Sequence, residues 1–213
     1  MTLFEPIAIV GQGCVLPGAL SPEALWKAIV GNECLITRPA KGAFGLTDAE
    51  QAALPYVAGF VSGFETVFDP KRAKLPGIDA STLDPVCQWP LHAALQAWDE
   101  AGKSDTPSDR RGVFLANLSY PSRAKSGYAA DVWAKGKSTR PATDAFNSGF
   151  PVHVLAQAIG ATGPVLALDA ACASSLYAIE IACRKLQTRQ IDIGLVGAVN
   201  AADNLILHIG FEA

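Results

Sequence analysis

The pattern that most restricts the fold lies in the last third of the chain, where a helical segment separates two short apolar runs. Residues 165–168 (Val-Leu-Ala-Leu) and 193–199 (Ile-Gly-Leu-Val-Gly-Ala-Val) are continuous apolar runs, and residues 172–187 carry apolar side chains at helical spacing. Continuous apolar runs are typical of strands that are buried on both faces, as in parallel sheets. The order strand, helix, strand predicts a βαβ unit with a right-handed crossover.

The same alternation extends over the rest of the chain. Apolar runs at 6–11 and 112–116 predict two more buried strands, and helical spacing predicts helices over 85–102 and 151–159. Within the helix over 172–187, one face is expected to carry Leu176, Ile179, Cys183 and Leu186. The chain is therefore predicted to be α/β, with a mostly parallel central sheet flanked by helices.

The first helix has a clear start signal. Residues 21–23 (Ser-Pro-Glu) supply an N-cap, a proline at the first helical position and an acidic first turn. We expect this helix to end near Gly31 and to direct Leu25, Trp26 and Ile29 toward the core.

Two stretches show no such pattern. Prolines and glycines interrupt residues 36–82, which predicts loops with short strands near 56–62. Residues 119–148 are polar and irregular and contain glycine, which is typical of a surface excursion or an interface loop.

Charge and motif spacing exclude several function classes. The 17 Lys and Arg residues against 20 Asp and Glu give a net charge of −3, without the basic stripe of a nucleic-acid-binding protein. Short basic clusters at 71–74 and 110–111 predict solvated surface, the alternative being a docking patch for an acidic partner. Residues 11–13 (Gly-Gln-Gly) follow a predicted strand, but Leu16 stands where a dinucleotide fingerprint needs its third glycine.

Cysteine usage and hydropathy indicate a compartment. The five cysteines are widely spaced without a C-x-x-C pair, so a zinc site is not expected. We find no signal-peptide pattern at the N-terminus and no apolar stretch near the ~20 residues that a membrane span needs. The sequence therefore predicts a reducing, cytoplasmic setting, in which a cysteine can stay free for chemistry.

One cysteine lies where a strand is predicted to turn into a helix. Cys172 falls at the first helical turn, where unpaired backbone N–H groups and the helix dipole favour a negative charge, and the thiolate is the nucleophilic form. Small flanking alanines leave room for a substrate carbonyl and for backbone stabilisation of an oxyanion, as in the nucleophile elbow of hydrolases. On local pattern alone, a buried small hydrophobe is the more common interpretation of such a cysteine.

A resemblance decides between these interpretations. Residues 169–176 (Asp-Ala-Ala-Cys-Ala-Ser-Ser-Leu) resemble the active-site signature of β-ketoacyl synthases, which commonly reads D-T-A-C-S-S-S-L in modular polyketide synthases. The alanines at 170 and 173 are closer to iterative type I and polyunsaturated-fatty-acid-like synthases. Other landmarks also resemble the family, although the Gln-Gln-Arg that often follows residues 83–85 is absent. These landmarks lie at residues 6–18, 21–26, 68–70, 83–85, 163–164 and 196–200.

The resemblance implies a thiolase-like condensing-enzyme fold of two similar α/β halves, of which residues 1–213 would be the N-terminal half. It also implies that Cys172 accepts an acyl chain from an acyl-carrier-protein thioester. The acyl chain would then condense with a decarboxylating malonyl unit in polyketide or fatty acid biosynthesis. No cofactor would bind directly, because the substrates travel on the phosphopantetheine of the carrier protein. A homodimer, or a complementary C-terminal half, would complete the assembly.

The family's two catalytic histidines belong to the C-terminal half and would lie outside this chain. The three histidines present, His92, His153 and His208, stand in no family motif and are predicted to be structural or on the surface. Two alternatives remain open. One is a non-catalytic half-domain for dimerisation or carrier-protein docking. The other is a cysteine hydrolase or thioesterase that would need His153 as the base for Cys172.

Overall fold

A computed structural model describes residues 5–41, 46–53, 57–102, 105–118, 122–145, 147–202, 207 and 210–211. The described part contains six α-helices and three strands, joined by loops and short 3₁₀ turns. The elements are α1 (Pro22–Val30), α2 (Asp48–Ala53), α3 (Pro85–Glu100), β1 (Arg111–Asn117), α4 (Arg123–Lys135), α5 (Phe150–Ala158), β2 (Val165–Leu168), α6 (Ser174–Gln187) and β3 (Ile193–Val199).

The three strands form one parallel sheet in the order β2-β1-β3. Val113 of β1 lies opposite Val165 of β2 and opposite Leu195 of β3. Because β1 separates β2 from β3, the connection through α6 passes across β1, which confirms the predicted βαβ unit with parallel strands. The expectation of a parallel sheet flanked by helices is also confirmed.

The central strand separates two apolar clusters. Val113 and Leu115 point into the larger cluster with α3 and α5, whereas Phe114 points into a smaller one with Ala178 and Ala182 of α6. Alternation of side chains along a strand produces this division. Helices α3 and α5 therefore cover one face of the sheet, and α6 covers the other.

The helix boundaries follow the predicted capping signals. The Ser21 hydroxyl accepts a hydrogen bond from the Ala24 N–H at 3.2 Å, and α1 ends before Gly31. Proline occupies the first turn of α1, α3 and α5. The predicted helix starts near residues 22, 85 and 151 are thus correct to within a residue.

The prediction of a buried strand at residues 6–11 is wrong. The described part of this segment is not in the sheet, and Ile9 is 82% exposed. The chain lies along α3 instead, where the Gln12 N–H donates to the Glu100 carboxylate at 2.7 Å and the Cys14 N–H to the Gln96 side chain at 3.0 Å. These side chains take up backbone donors that a sheet ladder would otherwise use.

The predicted inward face of α1 is wrong for Trp26 and Ile29, whereas Leu25 is half-buried. Trp26 is 67% and Ile29 is 59% exposed, while Ala28 is the buried residue of the helix. In α6, Ala178 and Ala182 are buried and Leu176 and Ile179 of the predicted face are exposed, whereas Leu186 packs against the smaller core cluster as predicted. Small residues allow these helices to approach the rest of the fold closely, which leaves the bulky side chains exposed.

Three further expectations need correction. Residues 119–148 contain the 13-residue helix α4, which Ser122 caps. The helix ends at Lys135, and the next residue, Gly136, has a left-handed conformation (φ 67°). The strand expected near 56–62 is a single bridge between Ala58 and Thr37 among the described residues. Strand β3 is half-buried, because it lies at an edge of the described sheet.

Candidate active site

Cys172 lies between the end of β2 and the start of α6, at the carboxyl edge of the parallel sheet. A short 3₁₀ turn, Ala171–Ala173, carries it, and α6 begins two residues later at Ser174. The thiol side chain is exposed. The prediction that Cys172 stands at a strand-to-helix turn is confirmed, and the interpretation as a buried small hydrophobe is wrong.

Two side chains fix the conformation of this turn. The Ser174 hydroxyl accepts a hydrogen bond from the Ala170 N–H at 2.8 Å and donates one to the Ala171 carbonyl at 2.7 Å. The Asp169 carboxylate accepts a hydrogen bond from the Ala171 N–H at 3.0 Å. Both Ser174 hydrogen bonds link residues before Cys172 to a residue after it. Cys172 therefore lies on a short turn that side-chain hydrogen bonds fix in place, and we call it the tied turn.

The residue before the nucleophile has an uncommon backbone conformation. Ala171 has φ of 50°, in the left-handed region that costs an L-residue about 1–2 kcal/mol. The hydrogen bonds from Asp169 and Ser174 hold it there. Backbone strain that several neighbouring contacts hold in place is typical of functional turns, where it directs a side chain outward.

The start of α6 provides a positive electrostatic environment. Its N-cap residue, Ala173, makes no side-chain cap, so the first-turn N–H groups next to Cys172 have no partner from that residue. The helix extends over 14 residues and carries Arg184 and Lys185 in its last turn, where cations complement the dipole. A thiolate, or the oxyanion of an attacked carbonyl, is the charge that such a helix start favours.

The other four cysteines lie in different environments. Cys87 is buried in α3, and burial followed by the nearby Asp84 carboxylate raises the pKa of its thiol. Burial, and then the charge of Glu23, also raises the pKa of Cys14. Cys34 is exposed but lies in a loop. Cys172 is therefore the cysteine that combines exposure with a helix start.

The two described histidines are not joined to Cys172 by a hydrogen bond, and His208 lies outside the described residues. His92 is buried in α3 beside the Phe64 ring, and burial followed by the Arg72 charge lowers its pKa. His153 is on the exposed side of α5. Both helices pack on the sheet face opposite α6, so the predicted structural or surface roles agree with their positions. The cysteine–histidine pair that a hydrolase needs is not formed between these residues.

Sequence reasoning missed Asp169 and Ser174 as parts of the site. Their spacing carried a usable signal, since Asp and Ser side chains commonly bond to backbone groups two to four residues away. An aspartate three residues before the cysteine and a serine two residues after it match this pattern.

A large open cleft lies beside the site. It encloses about 2040 Å³ between the N-terminal segment, α3, β3 and α6, and its walls include Ile7, Ile179 and Cys183. Cys172 is not among its lining residues, although Ser175 of the same helix start is. The cleft therefore adjoins the nucleophile without containing it.

Comparison with known proteins identifies the family. A sequence model described as "Beta-ketoacyl synthase, N-terminal domain" matches residues 4–213. The chain belongs to the β-ketoacyl synthase family. It is 31% identical over 204 residues to the non-reducing polyketide synthase trt4 of Aspergillus terreus. The matched region covers 92% of this chain and 8% of that protein. It is also 31% identical over 215 residues to a mycocerosic acid synthase-like polyketide synthase of Mycobacterium tuberculosis, covering 93% and 10%.

A solved structure agrees with this assignment. The chain superposes on the structure titled "PfaC Keto synthase-Chain length factor" with a TM-score of 0.83 and 27% identity, covering 96% of this chain and 25% of that one. The predicted thiolase-like ketosynthase fold is confirmed. The chain spans about a tenth or less of the curated relatives it matches, so their complete activities are not established for it.

The described residues contain no group of three or more His, Cys, Asp or Glu side chains arranged to hold a metal ion. Among them, no helix combines the length and apolar character that crossing a membrane requires.

Proposed function

We propose that residues 1–213 form the nucleophile-bearing N-terminal half of a β-ketoacyl synthase, in which Cys172 accepts an acyl chain from an acyl-carrier-protein thioester. The observation that carries this proposal is the exposed Cys172 on a tied turn at the uncapped start of α6. Membership of the ketosynthase family supports the reaction class.

The first step of the proposed reaction is transfer of the acyl group. The Cys172 thiolate attacks the thioester carbonyl and forms a new C–S bond, with an oxyanion facing backbone N–H groups of the first turn of α6. Collapse of the tetrahedral intermediate breaks the original C–S bond, and the phosphopantetheine thiolate of the carrier leaves and takes up a proton. The product is an acyl-Cys172 thioester.

The second step is decarboxylative condensation with a malonyl unit on a carrier protein. Loss of CO₂ leaves a carbanion whose attack on the acyl-Cys172 carbonyl forms the C–C bond and releases the cysteine thiolate. The family's histidines would assist this step from the C-terminal half. The product class is a polyketide or fatty acid β-ketoacyl chain, made in the cytoplasm, where reducing conditions keep Cys172 free.

The exposed apolar side chains support the proposed partners. Trp26 and Ile29 of α1 and Leu176 and Ile179 of α6 are each at least half exposed. Apolar surface of this kind marks interaction sites in soluble proteins. We assign it to contacts within a homodimer or with a complementary C-terminal half, and we assign delivery of the substrates to the acyl carrier protein.

One observation favours a second candidate function. Neither described histidine bonds to Cys172, so a non-catalytic half-domain, kept for dimerisation or carrier-protein docking, also fits the geometry. The two candidates differ in whether Cys172 reacts with an acyl thioester, which is directly measurable.

The test is incubation of the chain with a long-chain acyl thioester, followed by intact mass. We expect one acyl adduct on the wild type, none on Cys172→Ala, and an unchanged adduct on Cys34→Ala, because Cys34 is equally a free exposed thiol but lies in a loop. Equal labelling of the wild type and Cys172→Ala would refute the assigned nucleophile. An adduct that forms and is then released by water would instead support a hydrolase.

A further inference from the structure

The strongest feature outside the nucleophile's turn is a buried carboxylate that touches the starts of two helices. Asp84 is 5% exposed. Its Oδ1 atom accepts a hydrogen bond from the Val86 N–H of α3 at 2.9 Å, and its Oδ2 atom accepts one from the Ala124 N–H of α4, also at 2.9 Å. One aspartate thus caps its own helix and a second helix that starts about 40 residues later.

The second helix has little other attachment to the core. None of the described residues of α4 is buried, so apolar packing does not hold it in place. At its C-terminal end, Asp131 forms ion pairs with Lys135 and Arg140, and Arg140 also pairs with the buried Asp144 of the 3₁₀ turn Ala142–Ala145. These contacts join α4 to the segment that follows it, whereas none of them reaches a strand of the described sheet.

The contacts that join α4 to the edge of the sheet lie at its first turn. Ser122 is 2% exposed, its hydroxyl accepts a hydrogen bond from the Lys125 N–H at 3.3 Å, and its backbone pairs with Ala202. The Asp84 carboxylate is the charged member of this anchor. Hydrogen bonds to a charged acceptor are about twice as strong as those between neutral groups.

This anchor lies at the same edge of the sheet as the nucleophile. Helix α4 follows the carboxyl end of β1, Ala202 follows that of β3, and Cys172 follows that of β2. The carboxyl ends of parallel strands meet at one edge, where ligands of open α/β sheets bind. The position of α4 therefore shapes the surface around Cys172.

We infer that Asp84 is a positioning residue: by capping α3 and α4 with one carboxylate, it holds α4 at the sheet edge that carries Cys172. The inference rests on the proposed function only where it concerns acylation. The shared cap itself is tested without any substrate.

Asp84→Asn separates the two caps. The amide oxygen can still accept from the Val86 N–H, whereas the amide NH₂ faces the Ala124 N–H with a donor instead of an acceptor. We expect amide hydrogen exchange at Ala124 to speed up roughly tenfold or more, with little change at Val86. Equal loss of protection at both amides, loss at Val86 alone, or no change at either would overturn the inference.

Asp79→Asn is a matched control. Asp79 also caps through Oδ1, to the Ser81 N–H at 2.9 Å, but it caps a single 3₁₀ turn. We expect this variant to leave exchange at Ala124 unchanged. Asp84→Ala, which removes both caps, should speed exchange at Val86 and Ala124 together.

Acylation of Cys172 gives the functional readout. Asp84→Asn should raise the acyl-thioester concentration needed for half-maximal acylation and leave the maximal rate nearly unchanged, since the nucleophile's own turn is intact. A fall in the maximal rate alone would contradict an effect through α4. If the wild type is not acylated, the proposed function fails, and the exchange pattern still decides the role of Asp84.

Discussion

At the scale of single residues, the conformation of the turn that carries Cys172 depends on the Ser174 side chain. The Ser174 hydroxyl accepts a hydrogen bond from the Ala170 N–H and donates one to the Ala171 carbonyl, so one side chain links both residues to the start of α6. Ser174 is 6% exposed, so water does not readily replace these bonds. The serine is therefore expected to contribute to both stability and nucleophile orientation.

Ser174→Ala should lower the free energy of unfolding by about 1–3 kcal/mol, because the Ala170 N–H loses its acceptor in a partly buried site. Urea denaturation measures this change, and the rate of Cys172 acylation should fall with it. Ser175→Ala serves as the control, because Ser175 makes no described side-chain hydrogen bond, and it should alter stability by less than about 0.5 kcal/mol. Equal effects of the two substitutions would remove Ser174 from the account.

The position of Cys172 at a strand-to-helix turn could be predicted from the sequence, whereas the hydrogen bonds around it could not. The strand before it, the helix after it and the flanking alanines are local features that a single sequence displays. The left-handed conformation of Ala171 (φ 50°) is not such a feature, because alanine rarely adopts it without outside support. Three hydrogen bonds, two of them from Ser174, provide that support.

At the scale of secondary-structure elements, the close approach of β1 and the segment before β2 requires a glycine at position 163. Gly163 precedes β2 and lies against the backbone at the start of β1. A Cβ atom there would lie 2.5 Å from the Arg111 carbonyl oxygen and 2.6 Å from that of Asp109. Because both neighbours are backbone atoms, they cannot move aside without shifting the strand.

Gly163→Ala should therefore destabilise the chain by about 1–3 kcal/mol, as overpacking does in other cores. Gly197→Ala is the matched control in β3, where the new methyl would meet only the Leu115 Cδ1 atom at 3.5 Å, an ordinary contact. Thermal or urea denaturation of both variants gives the comparison. A Gly163→Ala variant as stable as Gly197→Ala would show that the close approach at this junction is not rigid.

Element prediction succeeded for strands and helices that carry apolar side chains into the core, and for α1, whose capping residues mark its start. Strand β1 and helices α3 and α5 carry apolar side chains into the core, so their periodicity is visible in the sequence. Helix α4 buries none of its described residues and has no apolar period to detect. The run at 6–11 was apolar enough to predict a strand, but bonds to Gln96 and Glu100 of α3 hold the neighbouring backbone away from the sheet.

At the scale of the whole molecule, the described surface exposes several large apolar side chains. The face of α1 is the clearest example, with Trp26, Ile29 and Val30 all more than half exposed. Trp133 of α4 is 93% exposed, but Val132, the apolar side chain next to it in the sequence, is only 39% exposed. A contiguous apolar face, rather than a single exposed side chain, marks an interaction surface.

We therefore expect the isolated chain to associate in the low micromolar range, as measured by sedimentation velocity at several concentrations. Trp26→Ser should weaken this association, because it removes the largest side chain of the α1 face. Trp133→Ser should leave it unchanged and serves as the control. A chain that remains a stable monomer throughout, or equal effects of the two substitutions, would contradict the proposed half-domain and its exposed α1 interface.

The proposal that Cys172 is the acyl-accepting nucleophile is tested by comparing two free, exposed thiols within one molecule, Cys172 and Cys34. The wild-type chain is treated with limiting long-chain acyl thioester, and peptide mapping gives the acyl occupancy of Cys172 and of Cys34 over time. We expect Cys172 to acquire the acyl group well before Cys34, because the tied turn and the uncapped start of α6 act on Cys172 and not on Cys34. Equal occupancy of the two cysteines, or faster acylation of Cys34, would contradict the assignment of Cys172 as the acyl-accepting nucleophile.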